Sequence, residues 1–128
     1  MTPEAAIIIL PLPPRVLSPN VAQATLRGRF AKAAATKRYR KIAREATEEE
    51  CIESAPWGRV EVASTFYHKT QRRHDDENSM VSIKPAYDGI VDTGLVPDDD
   101  SKHMRKLPPT FLIDKENPRV ELTITRLE

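Results

Sequence analysis

Two acidic knots carry most of the chemistry in this chain. The first is His74-Asp75-Asp76-Glu77-Asn78, entered through Lys69, Arg72 and Arg73; the second is Asp98-Asp99-Asp100, followed by Ser101-Lys102-His103. Carboxylates crowded together repel one another and raise each other's pKa unless a cation intervenes. Hard oxygen ligands that leave positions open to water are what magnesium or manganese takes. On an extended segment Asp75 and Glu77, two residues apart, point to the same side. Lys84 and Asp88 lie between the knots. Two such knots flanking a short helix, with a lysine between them, are harder to read as solvated loops than either knot alone. The plainer alternatives are that each knot is a solvated loop, and that Lys84 only pairs with Asp88 across one helical turn.

Composition narrows the setting. The chain has 128 residues, 39% of them hydrophobic, which predicts one folded domain over 1–128 rather than a disordered chain. Charged residues reach 30%, so the surface must be densely ionic. Lys and Arg number 20 against 19 Asp and Glu, for a net charge of +1. That balance excludes a uniformly basic nucleic-acid coat but leaves the distribution of charge open. The single cysteine, Cys51, cannot form an intramolecular disulfide, and there is no Cys/His set for zinc. The longest apolar run, Ala5–Leu10, is too short to span a bilayer and lacks the preceding basic residues of a signal peptide. A soluble, cytoplasmic protein is the expectation.

The elements that must position these residues are cut out by eleven prolines, against only four glycines. The β-branched run Ala5–Leu10 predicts a strand buried on both faces, ended by Pro11, Pro13 and Pro14. Residues 21–54, proline-free and rich in alanine, predict a long helix whose start Gly28 could interrupt. Phe30, Ala34, Ile42, Ala46 and Ile52 fall near one stripe and are expected to face the sheet. Eight bases run through this segment without an acid: Arg27, Arg29, Lys32, Lys37, Arg38, Arg40, Lys41 and Arg44. Glu45, Glu48, Glu49, Glu50 and Glu53 then reverse the sign. A helix dipole prefers the opposite order, by ~0.3–1 kcal/mol per charge, which favours a phosphate-facing stripe over a merely solvated face. Residues 59–67 alternate with period two and predict a strand with one buried face, with Trp57 and Gly58 in the turn before it. Residues 86–93 predict a short helix, with Pro85 in its first turn and Gly94 just past its end. Thr110–Ile113 and residues 119–127 read as two strands joined by the hairpin-like turn Asp114-Lys115-Glu116-Asn117-Pro118. The expected fold is α+β, a small mixed sheet of about four strands with two main helices.

The knots and the segment between them resemble the RusA family of Holliday junction resolvases, common in phages and prophages. The family carries a D-x-D-N motif, a K-x-x-x-D-G-L-V motif, then a glycine and a hydrophobic stretch ending in paired aspartates. Here Asp75-Asp76-Glu77-Asn78 is followed by Lys84-Pro85-Ala86-Tyr87-Asp88-Gly89-Ile90-Val91, then Gly94-Leu95-Val96-Pro97-Asp98-Asp99. Leu12-Pro13-Pro14 and Ser18-Pro19-Asn20 are similar to the family's opening, and Val120-Glu121-Leu122-Thr123-Ile124 to its last strand. The resemblance implies a Mg2+-dependent endodeoxyribonuclease, with Mn2+ a possible substitute, acting on four-way DNA as a homodimer. It implies metal ligands at Asp75, Glu77 and Asp99, and an assisting Lys84 at the scissile phosphate. The sequence departs from the pattern at Glu77, where the family usually has aspartate, and at Ser79, where an apolar residue is usual. Asp76 and Asp100 add carboxylates beside the expected ligands. A non-catalytic DNA-structure-binding protein that keeps the fold is the alternative, and a phage interaction protein with no nucleic-acid role is a more distant one.

Overall fold

The computed structural model describes residues 3–19, 25–71 and 75–128. Along the chain run β1 (Ala5–Leu10), a 3-10 turn (Arg15–Leu17), α1 (Leu26–Glu49), β2 (Val60–His68), α2 (Asp76–Ser82), α3 (Lys84–Asp92), β3 (Met104–Lys106), β4 (Thr110–Ile113) and β5 (Arg119–Arg126). The architecture is α+β: a five-stranded mixed sheet with two main helices, α1 and α3. β5 lies between β1 and β2, antiparallel to both. β3 and β4 pair in succession along the other edge of β2, both parallel to it.

Several sequence expectations are corrected here. β3 is the unforeseen fifth strand; three residues are too few to show a period. β4 and β5 do not form a hairpin, because β2 lies between them. The segment between them instead crosses the end of β2: the Asp114 amide donates to the His68 carbonyl at 2.8 Å, and Asp114 Oδ1 accepts from the amides of Glu116 and Asn117. β1 is buried on one face only, with Ile7 and Ile9 exposed while Ala6, Ile8 and Leu10 are covered. A run that is apolar throughout conceals the period of two, so its outer face could not be told from its inner one. On α1 the inward residues are Tyr39, Ala43 and Thr47, flanked by Ala35, Ile42 and Ala46, whereas Phe30 is 66% exposed and Ala34 is also exposed.

The core joins the inward side of the sheet to α1 and α3. Ile8, Leu10, Val60, Val62, Phe66, Leu122 and Ile124 pack with Tyr39, Ala43, Tyr87 and Ile90. Tyr39 buries its ring and donates its hydroxyl to the Pro11 carbonyl at 2.8 Å, which ties α1 to the end of β1. Trp57, in the approach to β2, is fully buried, with its indole N–H on Ser54 Oγ at 2.8 Å and its amide on the Leu95 carbonyl at 2.6 Å.

The two main helices touch so closely at Gly89 that a Cβ there would lie 2.3 Å from the Arg40 carbonyl and 2.9 Å from Ala43 Cβ. One turn further on, Arg40 forms a two-pronged ion pair with Asp92, at 2.6 and 2.7 Å. Mid-helix Gly→Ala ordinarily stabilises, by about 1 kcal/mol. At Gly89 the sign reverses, because backbone occupies the space. Gly89→Ala should destabilise the fold by about 1–3 kcal/mol, the range for overpacking, read as a lower urea midpoint with an unchanged slope.

Candidate active site

β2 delivers the chain to the first acidic knot. A broad recess of about 1220 Å³ opens at its C-terminal end. The segment after β1 lines one side with Leu12, Pro13, Pro14, Arg15 and Ser18. The end of β2 adds Phe66, His68, Lys69 and Thr70, and the start of α2 adds Asp75, Asp76, Glu77 and Asn78. The proline-rich opening and the first knot, far apart in sequence, thus share one concavity. Arg72, Arg73 and His74, at the entry to the first knot, and Asn20, in the N-terminal opening, lie outside the described residues.

The knot is not an extended segment. Asp75 caps α2, its Oδ1 accepting from the Asn78 amide at 3.0 Å, and Asp76 and Glu77 occupy the first turn. Acids at a helix start are favoured by the dipole, which lessens their mutual repulsion. The alternation expected of Asp75 and Glu77 is therefore replaced by helical geometry. An aspartate directly before acids and Asn is a recognised helix-start pattern, so this short helix was readable.

Lys84 opens α3, and Asp99 lies in the loop before β3. Lys84 Nζ is 2.7 Å from Asp88 Oδ1 and 3.0 Å from Asp99 Oδ2. The pairing across one helical turn therefore exists, and so does the contact between the distant ends of the middle motif. A second lysine, Lys106 on β3, reaches the same Asp99 oxygen at 3.1 Å. Its ammonium also lies over the Tyr87 ring, 4.8 Å from the centroid. Partial burial pushes the Asp99 carboxyl up, but hydrogen bonds from Lys84 and Lys106 outweigh it and hold its pKa below the usual range. For Lys84, partial burial pushes down, and Asp88 and Asp99 together raise it above the ordinary value. Lys106 was missed in the sequence, where a lysine in a three-residue strand carries no signal.

The two halves of the site are joined by contacts. Met80, three residues after Glu77 on α2, has its sulfur 3.7 Å from the Tyr87 hydroxyl and 4.0 Å from Ser64 Oγ. Tyr87 in turn lies beneath Lys106, which holds Asp99. The neighbours of Asp99 brace its loop. Asp98 Oδ1 accepts from the Asp99 amide at 2.7 Å, and Asp100 Oδ1 meets the His103 ring at 2.6 Å and its amide at 3.1 Å.

Asp75, Glu77 and Asp99 supply carboxylate oxygens only, the donor type that magnesium takes. As the side chains stand, no three acidic, His or Cys groups among the described residues are gathered to hold an ion. Asp99 is turned onto the two lysines instead. The chain matches no protein-family model and no curated protein.

Because Asp75 is both a cap and a candidate ligand, its two roles can be separated. Asn is as good a cap as Asp, whereas Ala forfeits about 1 kcal/mol. Asp75→Asn should leave thermal stability nearly unchanged, and Asp75→Ala should lower it by about that amount, in calorimetry without added metal.

Proposed function

We propose that this chain is a metal-dependent endonuclease of the RusA type that cuts branched DNA at paired phosphodiesters. The observation that carries this reading is the meeting of Lys84 with Asp99 beside α2. Residues at opposite ends of the resembling motif come together at 3.0 Å, in a part of the molecule linked by contacts to the acidic start of that helix. The motifs supply the substrate class, a four-way junction, and the division of roles.

Asp75, Glu77 and Asp99 would hold Mg2+, or Mn2+ in its place. Bound there, the ion supplies an activated water and offsets charge on the leaving oxygen. Lys84 is the cation available for the scissile phosphate: it is half exposed, flexible and raised in pKa, so it arrives protonated and can hold a phosphate oxygen or give a proton to the 3′ leaving oxygen. Phosphate contacts along the DNA arms come from α1. Arg40, Lys41 and Arg44 are engaged with Asp92, Glu45 and Glu48. Arg29, Lys32 and Lys37 line a shallow groove of about 560 Å³ and are the stronger candidates. No described helix is long and apolar enough to cross a membrane.

Two strands must be cut at symmetric positions, so a homodimer is part of this reading. The outer face of the sheet supports it: Ile7, Ile9, Ala63, Thr65, Tyr67 and Thr123 all keep partial or full exposure there. The second reading, a DNA-structure-binding protein without a productive metal site, is favoured by Glu77 and by the absence of three gathered ligands among the described residues.

The deciding experiment offers a labelled four-way junction and a linear duplex to the protein with magnesium, with and without chelator. Nicking confined to the junction and abolished by chelator is expected. Asp75→Asn and Asp99→Asn should each slow it by a hundredfold or more, about 3 kcal/mol, with junction binding kept or tightened. Junction binding without cleavage in any metal would instead establish the second reading. Replacing Arg29, Lys32 and Lys37 with alanine should weaken duplex binding and flatten its log–log salt dependence by up to ~0.9 per lost phosphate contact. An unchanged slope would return the stripe to a solvated helix face.

A further inference from the structure

The first turns of α1 project beyond the core. Tyr39 is the first buried residue of that helix. Phe30 stands roughly 14 Å nearer its N-terminus, at about 1.5 Å per residue. The partly covered positions between them, Lys32, Ala35 and Thr36, follow one line that continues through Tyr39 and Ala43. At about 100° per residue, Phe30 lies on the side opposite that line. Leu26, one turn before it, and Ala33 and Ala34, one turn after it, share this outward face. Phe30 is 66% exposed and Leu26 62%. Single exposed apolar residues are ordinary, but two large ones at helical spacing form a patch that suits a partner.

Cations border this strip. By helical position Arg27 and Arg38 flank it on one side and Arg29 on the other, and Lys37 continues it. Arg40, Lys41 and Arg44, further along, have carboxylate partners; among the described residues those four have none. The partner must therefore be anionic and offer a flat apolar surface. A second copy of this chain fits poorly. Parallel copies would set cation against cation. Antiparallel copies would set Leu26 and Phe30 against the second half of the other helix, whose outward side carries Lys41, Arg44 and Glu48. DNA fits both requirements, with phosphates for the cations and a base face for the ring wherever stacking is interrupted. The position suits it as well: α1 packs against the 3-10 turn Arg15–Leu17, and Arg15 of that turn lines the recess beside the first knot.

We propose that Phe30, with Leu26 beside it, stacks on a base exposed at the branch point of a DNA junction, and that this contact separates branched from linear DNA. This rests on the nucleic-acid reading above. The surrounding cations hold the phosphates of any duplex arm and carry no information about its shape. A continuous duplex keeps its base faces covered by their neighbours. Phe30 finds its partner only where two arms part, so the ring adds affinity for the junction alone.

The test measures binding of the whole protein, in chelator so that no strand is cut, to a four-way junction and to a linear duplex with the sequence of one arm. Phe30→Ala should weaken junction binding about tenfold, the scale of one lost base–aromatic stack. It should leave duplex binding and both salt slopes unchanged. Phe30→Trp should keep the junction affinity, and its emission, above that of the buried Trp57, should be quenched by the junction and not by the duplex. Wild-type affinity for the junction in Phe30→Ala, or an equal loss on junction and duplex, overturns the proposal and leaves the DNA reading standing. Failure of the wild type to bind either DNA in a salt-sensitive way ends both. A wild type that sediments as a dimer beside a monomeric Phe30→Ala would assign the face to a second copy and likewise overturn it.

Discussion

The close approach of α3 to α1 at Gly89 is the constraint on which the site depends. Backbone meets backbone there, with the Arg40 carbonyl in the space a side chain would need. That contact fixes the middle of α3, and the Arg40–Asp92 pair fixes its far end. The near end, where Lys84 stands, then has little freedom of position. Tyr87 is carried into the core by the same helix, and through it the contacts to Met80 and Lys106 are set. The glycine beside Asp88 in the resembling motif thus has a packing reason, while the charged residues around it have an electrostatic one.

The charge on α1 becomes intelligible from the same crossing. A basic first half and an acidic second half oppose the dipole, and no acid sits in the first turn. In the C-terminal half the cost is offset locally, because Arg40 reaches across to α3 and Lys41 and Arg44 pair down the helix with Glu45 and Glu48. Among the described residues, no such ion pair involves Arg27, Arg29, Lys32, Lys37 or Arg38. The end of the helix that the dipole makes worst for cations is thus also the end where, among the described residues, the cations have no carboxylate partner.

How much of this was legible depended on the range of the signal. Local signals read well: the alternation of β2, the helix of α3 with Gly94 at φ 82° after it, and the edges cut by proline. Signals that need a partner did not. The outer face of β1 is as apolar as the inner, so only the pairing with β5 separates Ile7 and Ile9 from Ile8. The turn at 114–118 looks like a hairpin turn from its residues, and only β2 lying between β4 and β5 shows otherwise. For the site, Lys84 and Asp99 were singled out and do meet, whereas Lys106 was invisible because its contacts, to the Tyr87 ring and to Asp99, are with residues distant in sequence. The first knot was read as an extended segment and is instead the start of a helix.

That misreading bears on Glu77. In an extended chain two residues apart would bring Asp75 and residue 77 to one side, and an aspartate would suffice at each. Here Asp75 is extended but spends one oxygen on the α2 cap, and residue 77 lies in the first helical turn, rotated away by the 3.6-residue repeat. If Glu77 is to share an ion with Asp75, as the proposed function has it, a carboxylate at that position needs reach. Glutamate adds one methylene, roughly 1.5 Å of bond length, and a further rotatable bond with which to aim it. The same first turn favours its negative charge through the helix dipole, so the longer acid is not held there against electrostatics. Under the proposed metal-dependent reading, the helical start of α2 and the longer acid at position 77 would therefore compensate each other.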